Sequence, residues 1–310
     1  MAPPHSTSVL PFDDAAIAEA ARLILAGECV AMPTETVYGL AADATNAAAV
    51  AHIYAAKGRP TFNPLIVHVP DFPAAKAIGA FNADARALAE AHWPGPLTLV
   101  VPMLGDAPIA SIVTAGLDTI ALRVPAHPAM QALLAATARP LAAPSANASG
   151  GISPTRASHV LASLGGRIPL IVDAGPAQRG IESTIVAATD GTLRLLRRGP
   201  VDVPQAVEMH SGEIESPGQL ASHYAPMKPL RLNAIDARDA EFLIGFGEIQ
   251  GDVSLSESGD PVEAAARLFD LLHQADASTS AKIAVAPIPG NGIAAAIRDR
   301  LQRAASPSPS

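Results

Sequence analysis

The chain has 310 residues, 49% hydrophobic and 16% charged, enough to bury more than one core and unlike the composition of a disordered protein. Its formal net charge of −8 argues against a general binder of nucleic acid or anionic membrane, yet residues 1–210, with 13 Lys/Arg against 16 Asp/Glu, can still focus positive charge in one cleft. Cys29 is the single cysteine, which excludes an internal disulfide and a thiolate metal cluster. No apolar run reaches a membrane span and no basic-then-apolar leader opens the chain, so a cytoplasmic location is expected.

Strands are expected at 29–32, 65–69, 97–101, 120–124, 170–172, 183–187 and 193–196. Among them, Asn46 caps a helix that carries Val50, Ile53 and Tyr54 on one side and stops at Gly58 and Pro60. Other helices are expected from Asp84 to His92 and from Pro128 to Ala138, and Ser153-Pro154 opens a fourth. Several late strands follow one another without a helix, which points to an α+β or mixed-sheet domain over 1–210. Residues 211–229, with Pro and Gly and little periodicity, read as a linker. The order strand, strand, helix, strand, helix over 230–305 suits a small Rossmann-like α/β domain, without a G-x-G-x-x-G fingerprint, and 306–310 read as a disordered tail.

Four polar clusters interrupt these elements. In "YAAKGRPTFNPLIVH", Lys57 falls in the last helical turn and Arg59 just beyond Gly58. The pair suits either an ordinary helix terminus with a solvated arginine or two cations aimed at one polyanion. "LAAPSANASGGISPT" crowds Ser145, Asn147 and Ser149 into a loop before a helix start, as a capping loop or as an anion site of hydroxyls and backbone N–H groups. "MPTETVYGLAADAT" leads a strand into Thr34, Glu35 and Thr36 and then into a half-buried strand. In "RGIESTIV", Glu182-Ser183-Thr184 interrupts apolar surroundings, and in the following "LRLLRRGP" the neighbours Arg197 and Arg198 face opposite sides, so one alone serves a given cleft. His68, unaided, reads as a core histidine. With no carboxylate pair, histidine cluster, phosphate loop or nucleophile elbow, the residues suggest an anion or nucleotide pocket rich in hydroxyls.

The stretches "PTETVYGLAADA", "KGRPTFNPLIVH", "TIALRVPAHP", "APSANASGGISPT", "IESTIV" and "LLRRG" occur in the order of the YrdC-type threonylcarbamoyl-adenylate synthases. "SPGQLASHYAP" and the small final domain resemble the long, two-domain form of that family, so the likeness runs over roughly residues 14–305. The resemblance implies a YrdC-like twisted mixed sheet with a concave, positively charged pocket. It implies that ATP, L-threonine and bicarbonate or carbon dioxide give threonylcarbamoyl-AMP and pyrophosphate, with Mg²⁺ carried mainly by the ATP phosphates and no side-chain metal site. The product would pass to a downstream threonylcarbamoyl transferase complex that modifies tRNA. By matching position, Thr36, His68, Arg123, Ser145 and Ser183 would hold threonine. Lys57, Arg59, Asn63, Thr119, Asn147, Thr155, Arg197 and Tyr224 would meet ATP, with Lys57 and Arg59 as the cations of catalysis. Phe62 stands where a small polar or acidic residue is usual, Arg198 where proline is more frequent, and the linker's role as a lid rests on His223-Tyr224. Two other functions compete: a non-catalytic RNA-binding module on the concave basic surface, opposed by the acidic balance, and carbamoyl transfer in hydrogenase maturation, opposed by a single cysteine that builds no zinc fingers.

Overall fold

Short runs of small and β-branched apolar residues form the strands of the protein, whose computed structural model describes residues 6–208, Ser216 and residues 223–306. The strands of the first sheet are β1 (Ser8–Pro11), β2 (Val30–Met32), β3 (Gly39–Asp43), β4 (Ile66–His68), β5 (Leu97–Pro102) and β6 (Thr119–Arg123). They are followed by β7 (Leu141–Ala142), β8 (Leu170–Asp173), β9 (Thr184–Ala187), β10 (Arg194–Arg197) and β11 (Val207–Glu208). Among the described residues these eleven pair in the order β1-β8-β2-β3-β7-β4-β6-β5-β9-β10-β11, with parallel and antiparallel neighbours mixed. The helices between them are α1 (Asp14–Leu25), α2 (Ala47–Lys57), α3 (Phe72–Lys76), α4 (Ala83–His92), α5 (Ser111–Thr114), α6 (Pro128–Thr137) and α7 (Ala157–Leu164).

Strand alternation sorts the two faces. Ala31, Leu40, Val67, Leu99 and Leu122 face a large core that takes in Val50 and Ile53 of α2, Leu88 of α4 and Val160 of α7. On the opposite face, α1 and α6 pack together over Val30, Met32, Leu141 and Val172. Farther along that second face, Ile66, Val100, Ala121, Ile185 and Leu196 form a separate apolar patch, and this is the floor on which the polar clusters stand. The mixed sheet matches the expected fold class.

The second sheet comprises β12 (Leu230–Arg231), β13 (Glu241–Gly245), β14 (Val253–Ser254) and β15 (Lys282–Val285), all parallel in the order β12-β15-β13-β14. It packs with α8 (Pro261–Ala277) and α9 (Ile293–Ala305), as expected of a Rossmann-like unit. Its core does not close on itself: Phe269, Leu272, Ile297 and Val285 pack in one cluster with Val37, Ile152 and Ile181 of the first unit and with Tyr224. At Gly180, held at φ 68°, a Cβ would meet the carbonyl oxygen of Ala265 at 2.3 Å, so a side chain there would part α8 from the first unit. Most of the linker expected over 211–229, and the tail beyond residue 306, lie outside the described residues.

Helix α2 follows the expected pattern closely. Asn46 accepts from the N–H groups of Ala48 and Ala49, and Gly58 ends the helix at φ 61°. Helix α7 does not, because it starts at Ala157 rather than Ser153. The carbonyls of Ser153, Pro154 and Thr155, which a helix starting there would spend on itself, accept instead from His273, Tyr38 and Ala177.

The units also meet at a stacked pair, His159 of α7 and His273 of α8, with ring centroids 3.8 Å apart. His159 Nε2 lies 3.4 Å from Asp270, which also accepts from Arg156 at 2.6 and 3.1 Å. Burial and the neighbouring His273 outweigh Asp270 and push His159 from 6.5 down to about 4. The unfolded chain therefore takes up a proton that the folded chain refuses, so stability present above pH 6.5 is lost as pH falls toward about 4. Thermal melts across that window are expected to fall less steeply for His159→Gln than for the wild type, and parallel curves would contradict the assignment.

Candidate active site

The register of β4 and β6 places His68 beside Arg123 at the carboxyl ends of two parallel strands, on the face shared by Ile66 and Ala121. Arg123 is buried and its plane is fixed by three bonds. Nε donates to Gly95 O at 3.2 Å, Nη1 to Thr36 Oγ1 at 3.0 Å and Nη2 to Glu35 Oε1 at 2.5 Å. Thr34 braces the loop after β2 by donating to Val37 O at 2.6 Å and sharing a 2.9 Å bond with Thr36. Burial alone would raise the Glu35 carboxyl, but Arg123 more than offsets it and holds the group below the usual carboxylate range. Burial, with the Arg123 charge next, lowers His68 to about 3, so its imidazole is neutral at physiological pH.

The facing wall begins at the start of β9. Ser183 Oγ shares a 2.8 Å bond with Thr98, and Arg197 donates to Ser183 O and Oγ, each at 3.0 Å. Arg197 thus turns into the cavity, whereas Arg198 pairs outward with Glu208. The third wall is the loop after β7, where Ser145 bridges to Gly39 and Asn147 Nδ2 donates to Ala148 O and Gly151 O at 2.9 and 2.8 Å. Lys57 reaches this loop from the end of α2 and donates to Ser145 O and Asn147 O, both at 2.5 Å. Its ammonium is fully enclosed, and burial, with Arg59 second, lowers it well below the ordinary lysine value. Arg59 folds back on the turn, donating to Asn63 O at 3.4 and 3.3 Å and to Pro64 O at 3.0 Å. His223 and Tyr224 close the roof, with Tyr224 at φ 65° and 1% exposed.

These walls enclose a cavity of about 50 Å³. Of the residues expected in the site, Thr36, Arg59, His68, Arg123, Ser145, Ser183, Arg197 and Tyr224 line it. Lys57, Asn63, Asn147 and Thr155 are buried, each 3% exposed or less, but do not line it. Thr119 shares the Arg123 face of β6 four residues earlier, roughly 13 Å along the strand. Several buried polar atoms here have no well-formed hydrogen bond: Asn63 Oδ1, both ring nitrogens of His68, Asn147 Oδ1, His223 Nδ1 and Tyr224 Oη. Polar atoms so buried are ordinarily paired, so their grouping in and beside one cavity suits a place that receives polar partners.

Glu35 and Glu182 stand in the polar clusters of the sequence without an assigned role, and Thr98 lies outside those clusters, although a buried arginine demands an acid and "PTET" offers one. The four cations Lys57, Arg59, Arg123 and Arg197 are each 8% exposed or less, so they form an enclosed pocket and not the open basic surface that an RNA-binding module needs. Among the described residues, the cavity-lining hydroxyls of Thr34, Thr36 and Ser183 bond to other hydroxyls, to a backbone carbonyl and to arginine. None of those bonds is to a histidine or carboxylate that would make the hydroxyl a nucleophile. Such a pocket belongs to an enzyme that works on an anionic substrate by charge and alignment.

The Sua5/YciO/YrdC family model, described as "Telomere recombination", matches residues 22–199, and one described as "Threonylcarbamoyl-AMP synthase, C-terminal domain" matches residues 181–306. The threonylcarbamoyl-AMP synthase of Bacillus subtilis (strain 168) is 39% identical, over 96% of this chain and 95% of its own. That of Pyrococcus abyssi is 37% identical over 92% of each chain. The crystal structure of P. abyssi Sua5 complexed with L-threonine superposes with a TM-score of 0.88 at 33% identity, over 96% of this chain and 97% of that one. The chain belongs to the threonylcarbamoyl-AMP synthase family.

Proposed function

We propose that this protein makes L-threonylcarbamoyl-AMP from L-threonine, bicarbonate or carbon dioxide, and ATP, and releases pyrophosphate. The observation that carries the reading is the pairing of a fixed, buried Arg123 with a neutral, buried His68 inside a cation-lined cavity. Threonine's carboxylate suits the Arg123 fork, its amine suits a His68 nitrogen as acceptor, and Thr36, Ser145 and Ser183 offer hydroxyls around them. Arg59 and Arg197 line the same cavity and take the phosphates, with Asn63, Thr119, Asn147, Thr155 and Tyr224 contributing to the nucleotide side. Lys57 serves by holding the Ser145 and Asn147 carbonyls, and its charge meets a phosphate only if it leaves them.

The threonine amine adds to carbon dioxide and loses a proton, giving a carbamate. A carbamate oxygen then forms a bond to the α-phosphorus as the bond from that phosphorus to the bridging oxygen of pyrophosphate breaks. The residues align the two reactants and stabilise the charge that gathers on the leaving group. Closure by His223 and Tyr224 keeps water from the carbamate and the mixed anhydride. A cavity of about 50 Å³ is far below the roughly 300–1,000 Å³ of ligand pockets, so the roof opens to admit ATP and then re-forms over it. Mg²⁺ would arrive on the ATP phosphates, which it ordinarily accompanies.

In organisation, residues 1–210 form the unit that carries the site, 211–229 are the linker, of which the described His223 and Tyr224 cover the site, and 230–305 buttress it. The product would serve a threonylcarbamoyl transferase complex acting on tRNA. Among the described residues, no helix is long and apolar enough to cross a membrane. Pyrophosphate release from ATP is expected to require threonine and bicarbonate together. Equal release with serine, glycine or no amino acid would overturn the reading.

A further inference from the structure

Arg300 lies on the buried stripe of α9 with Ile297, Leu301 and Ala304, and its side chain is 0% exposed. Nε donates to Glu182 Oε2 at 2.9 Å, Nη2 to Arg198 O at 2.8 Å and Nη1 to Asp299 Oδ2 at 2.9 Å. Its guanidinium carbon also stands 5.3 Å from the centroid of the Tyr224 ring, which Phe269 of α8 approaches to 5.5 Å. One side chain of the second unit therefore touches three parts of the site. Glu182 lines the cavity and accepts from Ser153 at 2.5 Å. Arg198 O is the carbonyl next to Arg197. Tyr224 is the roof, in a left-handed backbone conformation that a non-glycine residue keeps only when its surroundings hold it.

We propose that Arg300 is a positioning residue of the synthase site, fixing the Tyr224 roof and the Glu182–Arg198 edge in one arrangement so that the ATP subsite is complete only when α9 is docked. This rests on the synthase reading for the identity of the nucleotide. The acid and the arginine form a buried pair, and burial of Glu182 is offset by Arg300, Arg197 and the Ser153 bond. An arginine that merely glued the units together would, on removal, reduce the amount of folded enzyme and leave the substrate constants of the remainder unchanged. A positioning arginine weakens ATP more than threonine, because the Arg123 and His68 contacts sit on β4 and β6, apart from the Arg300 partners. Among the described residues only Ser183, next to Glu182 and bonded to Arg197, carries the perturbation to the threonine side.

The test uses the full chain with Arg300→Met, Arg300→Lys and the neutral double variant Arg300→Met/Glu182→Gln. It measures KM for ATP and for threonine, and calorimetric affinity for a non-hydrolysable ATP analogue. Arg300→Met is expected to raise the ATP KM and the analogue Kd about tenfold or more, with the threonine KM within about twofold. Lysine keeps a charge toward Glu182 but lacks the fork for Arg198 O, so it should recover part of the ATP affinity. The double variant leaves no unpaired buried carboxylate. It should regain thermal stability and keep the ATP defect, which decides the matter even if Arg300→Met folds poorly. Wild-type ATP constants in a folded variant, or equal losses for both substrates, would overturn the proposal. A wild type that binds the analogue but releases no pyrophosphate would overturn the synthase reading, while the affinity ratio would still decide Arg300.

Discussion

Arg59→Ala is expected to slow pyrophosphate release by about a hundred- to a thousandfold, the usual effect of removing one preorganised group from developing charge. Arg59 follows the left-handed Gly58 at the end of α2, and its guanidinium is folded onto the carbonyls of Asn63 and Pro64 at the cavity edge. Burial, with Arg197 adding to it against Tyr54 and Tyr224, lowers it to about 10, so it stays charged at neutral pH. A desolvated cation that must already be present when pyrophosphate departs acts in kcat. Its structural partners are two carbonyls, one of which, Asn63 O, also accepts from Tyr54 at 3.1 Å, so truncation should cost only about 1–2 kcal/mol of stability. Single-turnover release alongside a thermal melt separates the two effects. A folded Arg59→Ala enzyme with wild-type turnover would remove Arg59 from the phosphate site.

The second large effect is expected at Arg123, where stability and threonine affinity should fall together. Arg123→Ala leaves Glu35, 6% exposed, as a buried carboxylate whose counter-ion is gone, a loss of about 3–5 kcal/mol. It also removes the guanidinium that is paired in register with His68 and suits a carboxylate. Arg123→Met with Glu35→Gln takes away both charges and fills much of the space, so denaturant melts should return most of the stability. Threonine saturation should remain absent in the double variant. Recovery of threonine affinity there would show that Glu35–Arg123 is a structural pair and that the carboxylate binds elsewhere.

How much of this was legible in the sequence depended on whether a residue's partner was local. Helix α2 was readable from Asn46 to Gly58 because both caps lie within its own chain segment. The strands around His68 and Arg123 were readable as apolar runs, and the alternation rule correctly set Arg197 and Arg198 on opposite sides. The start of α7 was misplaced because His273, Tyr38 and Ala177, which take the carbonyls of residues 153–155, come from distant segments. Strand β1 and helix α1 went unassigned, although Asp13 caps α1 by accepting from Ala16. Glu35 and Glu182 are visible in the sequence only as members of polar clusters, and Arg300 not at all as a site residue, because their roles are set by partners 88 and 118 residues away. Arg300 nevertheless left a trace, as a charge at helical spacing from Ile297 and Ala304 on an otherwise apolar stripe. Phe62 is 59% exposed, and nothing in the structure explains it.

Mass spectrometry of the reaction products with isotopically labelled bicarbonate tests the central claim most directly. The label should appear in a threonine-dependent nucleotide adduct of AMP, formed in step with pyrophosphate and lost when Arg123 is replaced. An adduct without the label, or labelled product formed equally well with serine, would contradict a pocket that joins threonine, carbon dioxide and AMP.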